Sequence, residues 1–469
     1  MEAYDEGVSR PTPAPKTAVT ESLGRMDGEA FDQFWRALSV RPHAFFRRAA
    51  GGPSDLRSWS FLASNPVEIV TSSDGRPRVG NDPFRALARR WPSPVRQKGP
   101  KTPFTGGFAG FIGYEARSAV ERTPPPRRAP DGFPTYWLGR YDAVLALDHR
   151  TGRAFVSGVG ETVARARTAS ARLLARARAP AAPKTPARTI RSRAPRSVVS
   201  AAAYRRRVAE VRRRIGAGDL FQANLSQRFE GSWTGSAARL FDRLTAASPT
   251  PFSTFLALGD DRTILSTSPE RFLERSGDRL ETRPMKGTRR RGDSPTEDRT
   301  LARELRTSEK DRAELAMIVD LARNDLAHAC RPGTVRVESP RQLERYATVH
   351  QAVGVVSGRL APDVHPAEAV RRAFPPGSVT GAPKVEAMNV IDALEGEGRG
   401  PYCGAIGWFD EGGDFDLAVA IRTVCLVGRN ISYRVGGGVT WLSDPEEERV
   451  ETVDKGAAIA RAITLGRRS

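Results

Sequence analysis

The chain of 469 residues carries 74 Lys+Arg against 54 Asp+Glu, a formal net charge of +20. At 39% hydrophobic and 27% charged it has material for a sizeable core, which excludes wholesale disorder and collagen-like repeats. It has no apolar run of about 18 residues, so no membrane span is expected, and its 3 cysteines, Cys330, Cys403 and Cys425, lack CxxC spacing, which argues against disulfide or zinc frameworks and fits a cytoplasmic protein.

In chain order, residues 1–24 are acidic, then Pro/Thr-rich, and read as a disordered leader rather than a secretory signal. Residues 25–162 form an N-terminal domain of short apolar runs and turns. SWSFLASNPVEIV (58–70) and YDAVLALDH (141–149) read as strands, and GGFAGFIGYEA (106–116) supplies glycines for close backbone approach. Residues 163–196 shift to Ala, Arg and Pro and read as a linker whose first part is a candidate helix. Residues 197–469 form a second domain. Tyr204, Val208, Val211 and Ile215 recur at helical spacing behind Ser200 as cap. FSTFLAL and RTILSTS make a hairpin about Gly259, Asp260 and Asp261, and LAVAIRTVCLV and ISYRV make another about Gly428. Residues 296–326 read as one long helix, and Glu446 to Ala462 as the last. Directly joined strands with helices in blocks indicate an α+β fold.

The charge points away from nucleic acid. Eight of the 74 basic residues are Lys, and the densest basic stretch, Arg188 to Arg196, is mixed with Ala and Pro rather than with aromatics. No specific nucleic-acid partner is expected. A basic nucleic-acid-binding protein on a degenerate enzyme scaffold is the remote alternative. Because Arg supplies most of the charge, each Lys is worth inspecting.

Several residues could carry chemistry. Asp311 and Glu314, and again Glu448 and Glu451, stand three apart on helices, so each pair shares a face. Such pairs are ordinarily solvated surface. Facing one another beside an anionic substrate, they suit Mg2+, which takes one or two carboxylates with water and substrate oxygens. Lys286 lies among Arg283, Arg289, Arg290 and Arg291; like-charge repulsion would favour its free amine, or it is one more surface cation. Glu270 follows Pro269 at a strand end, as a rigid general acid or a salt-bridge partner. GSVTGAPK (377–384) is an anion-nest candidate without Walker A order. VGGGV (435–439) allows a ligand close to backbone or is a tight turn, and Arg422 offers a planar fork for a carboxylate.

The ordered motifs GDLFQANLSQRF, STSPERF, TRPMKGT, AELAMIVDLARNDLA, FPPGSVTGAPKVEAM, GAIGWF and GGGVTWLSDPEEERVETVDKGAAI resemble the chorismate-binding domain of anthranilate synthase component I, aminodeoxychorismate synthase component I, and isochorismate and salicylate synthases. The resemblance implies an anthranilate synthase component I-like fold: two packed β-sheets surrounded by helices, with the active site in the cleft between them. It implies Mg2+ held by Glu314 and Glu451 with Asp311 and Glu448 in support. Arg422 and Tyr402 would contact the enolpyruvyl side of chorismate, with Gly437 and Gly438 close by, and Ser378 and Lys455 near the ring carboxylate. Glu270 matches the general acid that protonates the departing 4-hydroxyl.

Within that family, Gln222 stands where water-using members carry Lys, and Lys286 stands where anthranilate synthases tend to have Ala. PMKGT is similar to the PIKGT of aminodeoxychorismate synthases, whose Lys attacks the ring before ammonia displaces it. Gln351, beside His350, occupies the position of the pyruvate-eliminating His. Phe45 to Ala49 replace the Leu-Leu-Glu-Ser of tryptophan-sensing members. The resemblance therefore implies aminodeoxychorismate synthase component I, feeding p-aminobenzoate and folate or a related metabolite. The alternative is anthranilate synthase component I. No Cys-His-Glu glutaminase segment is evident, so ammonia is expected from a separate glutaminase subunit.

Overall fold

The structure, a computed structural model, describes residues 15–72, 82–179 and 192–464. Two antiparallel-rich sheets dominate it. The larger has 13 strands, running in space from Arg193–Ser197 through Gln222–Ser232, Asn430–Val439, Thr423–Val427, Arg262–Ser268 and Phe252–Gly259 to Phe45–Arg48, and on to Lys16–Arg25 and Val95–Lys98. The second has 10, from Met285–Arg290 and Val349–Arg359 through Arg271–Ser276, Phe415–Val419 and Ala405–Asp410 to Gly107–Ile112, Tyr136–Tyr141 and Glu68–Thr71.

A shared core lies between the sheets. Phe45, Phe61, Val144 and Ile264 of the first meet Phe111, Trp137, Ile406 and Trp408 of the second. Trp408 stacks on Phe104 at 5.1 Å and takes the edge of Phe61 at 5.6 Å. Gly107–Ile112 is buried along its whole length, as a strand covered on both faces must be. Helices cover the outer faces. Phe31 and Trp35 of Gly28–Leu38, Leu240 and Phe241 of Ala237–Ala247, and Ile459 of Pro445–Thr464 pack behind the first sheet. Leu315 and Val319 of Glu309–Ala327 and Val370 of Pro366–Ala373 pack behind the second.

The two sequence regions interleave in both sheets. Phe45–Arg48 pairs with Phe252–Gly259, and Gly107–Ile112 pairs with Ala405–Asp410. The expected leader needs correcting. Lys16–Arg25 is a strand, antiparallel to Arg153–Gly160 and parallel to Val95–Lys98, because Ala18 and Val19 find burial that Pro/Thr-rich composition conceals; residues 1–14 lie outside the described residues. Within the expected linker, Val163–Arg178 is a helix and Arg193–Ser197 an edge strand; 180–191 lie outside the described residues.

The helix expected over 296–326 is two helices, Pro295–Thr307 and Glu309–Ala327. Ser308 leaves helical geometry and its hydroxyl accepts the Asp311 amide at 3.2 Å, the capping role Ser prefers over a helix interior. LAVAIRTVCLV is also divided. Phe415–Val419 lies in one sheet and Thr423–Val427 in the other, with Arg422 at φ 49° in the crossing, where a side chain is strained and other contacts must hold it.

A buried ion network ties the helix Lys384–Glu395 to the first sheet. Glu395 accepts the Ser226 amide and hydroxyl at 2.8 Å each and pairs with Arg399 at 2.7 Å and Arg434 at 3.3 Å. Burial opposes its charge, yet the two guanidiniums hold the Glu395 carboxyl below the usual range. Removing one member strands buried charge, so Glu395→Ala is expected to lose about 3–5 kcal/mol in denaturant unfolding. A loss below about 1 kcal/mol would show the network to be ornamental.

Candidate active site

A cavity of about 150 Å³ opens between the sheets, lined by Asn224, Glu270, Lys286, Thr288, Gln351, Ser378, Tyr402, Arg422, Arg434 and Lys455, among others. A second, of about 490 Å³, shares the Lys286–Thr288 and Lys455 wall and is bounded by Lys310, Asp311, Glu314, Gly438, Glu448 and Glu451. The sequence-predicted residues thus gather from both sheets, from a turn and from two helices.

Glu270 stands just beyond the strand Arg262–Ser268, fully enclosed, and the Ser378 hydroxyl donates to its Oε1 at 2.5 Å. Burial raises its pKa to about 7, against the opposing pull of Ser378, of the Lys286 ammonium and of the Met285 amide. A carboxylic acid holding its proton near neutrality can donate it.

Lys286 has its pKa lowered, first by burial and then by the Lys455 charge, against the pull of Glu314, Glu270 and Glu451. The arginines expected to do this are engaged elsewhere. Arg289 pairs with Asp311 at 3.0 Å, Arg283 with Glu281 at 2.6 Å, Arg291 with Asp298 at 2.7 Å, and Arg290 with Glu297. Ion pairing neutralises each at short range, so desolvation carries the shift.

The glycine run lets this cluster close. A Cβ on Gly438 would lie 2.2 Å from Gln222 Nε2 and 3.0 Å from Lys286 Nζ; one on Gly437 would lie 2.6 Å from Glu448 Oε2; one on Gly436, 2.9 Å from the Tyr402 hydroxyl. Gln222 is buried, and neither of its amide atoms is hydrogen-bonded among the described residues. Gly438→Ala is therefore expected to cost activity by about 10²-fold through displacement of Lys286. An unchanged kcat/KM would mean that this contact is slack.

Arg422 lines the cavity, its guanidinium donates to the Ser248 hydroxyl at 3.4 Å, and it forms no ion pair among the described residues. Burial lowers its pKa, and a carboxylate ligand would satisfy its fork. Tyr402, buried, lines the same cavity, with burial pushing its phenol up. Gln351 and His350 separate by strand alternation. Gln351 lines the cavity and accepts the Thr288 hydroxyl at 3.1 Å, whereas His350 Nε2 meets Asp298 at 2.8 Å on the other face.

The acidic pairs face one another across the second cavity, tempered by lysines. Lys455 Nζ lies 2.5 Å from Glu451 and donates to the Gly436 carbonyl at 3.3 Å. Partial desolvation opposes the charge of the exposed Glu451, but Lys455 holds its carboxyl below the usual range; desolvation raises the half-buried Glu314 despite Lys286, and burial raises Glu448 despite the Ser443 hydroxyl donating at 2.6 Å. Among the described residues no three metal-ligating groups form a ready-made cluster. The donor set nonetheless suits a hard cation: carboxylates on two helices, with Glu448 Oε2 buried and without a hydrogen-bond partner among the described residues.

Sequence reasoning missed Lys310, Asn224 and Arg434. Lys310 is one of the few lysines, and Asn224 shares a strand face with Gln222 at the two-residue spacing, so both had a signal. Arg434 had none.

Residues 48–461 match the chorismate binding enzyme family. The chain is 39% identical over 438 residues to aminodeoxychorismate synthase component 1 of Salmonella typhimurium, covering 91% of this chain and 94% of that one. It is 37% identical over 482 residues to aminodeoxychorismate synthase of Streptomyces griseus, covering 96% of this chain but 65% of that enzyme, so it spans less than two thirds of that relative. In three dimensions it superposes on anthranilate synthase component I from Streptococcus pneumoniae with a TM-score of 0.76 and 29% identity, over 86% of this chain and 92% of that one. The α+β fold of two packed sheets surrounded by helices is the fold of that enzyme.

Proposed function

Because the chain belongs to the chorismate-binding enzyme family, we propose that it is the synthase component converting chorismate and ammonia to 4-amino-4-deoxychorismate. The observation that carries this reading is Lys286: a half-buried amine whose pKa is lowered, lining one cavity with Glu270, a carboxyl raised to about 7. Arg422 and Tyr402 hold the enolpyruvyl carboxylate side. Glu270 gives its proton to the leaving 4-hydroxyl, the Lys286 amine bonds to the ring, and ammonia from a separate glutaminase subunit displaces it.

Glu314 and Glu451 would hold Mg2+, with Asp311 and Glu448 in support; when bound, the ion supplies positive charge to a substrate carboxylate. Excess chelator is expected to abolish turnover, and Glu451→Gln to do the same with unchanged circular dichroism. Full activity in chelator would remove Mg2+ from the scheme.

The second reading is anthranilate synthase component I, and comparison by fold favours it: the structural match above is to that enzyme. Mass spectrometry of products after incubation with chorismate, Mg2+ and an ammonium salt separates the two. Aminodeoxychorismate retains the enolpyruvyl group; anthranilate appears with pyruvate, and its appearance would overturn the first reading.

A further inference from the structure

Glu270 and Ser378 form a partition. On one side lies the 150 Å³ cavity; on the other lies a separate cavity of about 20 Å³, room for about one water, whose far wall holds Asp325 and Ala322. Asp325 sits on the helix Glu309–Ala327, paired with Lys384 at 2.7 Å, and its Oδ2 lies 3.8 Å from where a Gly377 Cβ would stand, next to Ser378. We propose that a water in this small cavity links Asp325 to Glu270, and that Asp325 returns a proton to Glu270 from behind the bound substrate.

The need follows from the chemistry, and the proposal rests on Glu270 being the general acid. When the ring C–O bond breaks, the hydroxyl leaves as water with the Glu270 proton, and Glu270 is left as a carboxylate. Substrate or product then fills its open side. A proton passes from the Asp325 carboxyl through the water to Glu270, and Asp325 recovers one from solvent. The nucleophile's nitrogen loses a proton on forming its bond, so the overall count closes. This holds for either reaction above.

The surroundings suit a relay. Burial raises Asp325 to about 6, against the Lys384 and His328 charges and assisted by Glu121, while Glu270 stands at about 7 facing Lys286, Ser378 and the Met285 amide. Two carboxyls of similar proton affinity exchange a proton at little cost in either direction. Three residues further along the chain, His328 is exposed, so this end of the helix borders solvent.

The test compares three variants of the full chain by kcat, KM, pH profile and solvent isotope effect. Asp325→Asn removes the relay acid. Ala322→Val fills the small cavity without touching charge, and covers the case in which loss of the Lys384 pair impairs folding. Each is expected to lower kcat by roughly tenfold or more, with chorismate KM within about twofold and a larger solvent isotope effect, because proton return becomes limiting. Glu270→Gln separates the two ideas. If it retains turnover, the general-acid reading fails. If it is inactive while Asp325→Asn and Ala322→Val keep wild-type kcat and isotope effect, the relay alone is wrong.

Discussion

Lys286→Ala is expected to remove any covalent adduct with chorismate and to leave a slow activity that depends on ammonia concentration. The truncated side chain opens space beside Gly438, where a Cβ would already stand 3.0 Å from the amine, and a small nucleophile can enter it. Lys286→Arg should be worse. Guanidinium remains protonated and has no lone pair to offer, it fills the same space, and displacement of neighbours by about 1 Å can cost about 10²-fold. Intact-protein mass spectrometry on quenched reactions reads the adduct, and ammonium-dependent product formation reads the residual rate. Near-wild-type turnover in Lys286→Arg would reduce the Lys to a simple cation and hand the assignment to the anthranilate reaction.

Glu270→Gln is expected to lower kcat by about 10²–10⁴-fold, the range for a positioned proton donor, and to erase the alkaline limb of kcat/KM. The sign follows from the raised value. Below about 7 the carboxyl holds its proton and can donate; above it the carboxylate cannot, so activity falls as pH rises through about 7. Lys286 acts in the opposite sense, since its free amine grows with pH; burial and the Lys455 charge shift that gain to lower pH. The product is a bell whose two limbs belong to the coupled pair. An alkaline limb that survives in Glu270→Gln would point to another donor.

Much of this protein was legible in its residues because the information was local. Helical periodicity behind Ser200 gave Ala201–Gly216 with that cap, at 3.2 Å from the Ala203 amide. The turn at Gly259, Asp260 and Asp261 joined the strands flanking it, with all three at positive φ. Spacing of three put Glu448 and Glu451 on one helical face, and they border one cavity. The ordered motifs pointed to the chorismate-binding family. The scarcity of Lys marked Lys286, which lines one cavity with Lys455 and with Lys310, a lysine that the residues alone did not single out.

What tertiary structure decided was every outcome set by a distant partner. Arg283 and Arg289 look like repulsive neighbours of Lys286 in sequence; carboxylates distant in the chain, Asp55 at 2.8 Å from Arg283 and Asp311 at 3.0 Å from Arg289, help take them out of play. Whether His350 or Gln351 lines the cavity depended on strand register, in which one residue reverses every side chain. LAVAIRTVCLV reads as one apolar run, but apolarity does not say which of two sheets offers hydrogen bonds, and the chain changes sheets at Arg422. Residues 16–24 look like leader until Arg153–Gly160 provides an edge to pair with. Periodicity records local sterics and one buried face. Ion pairs, sheet membership and register are settled by which elements meet, and that information is spread across the whole chain.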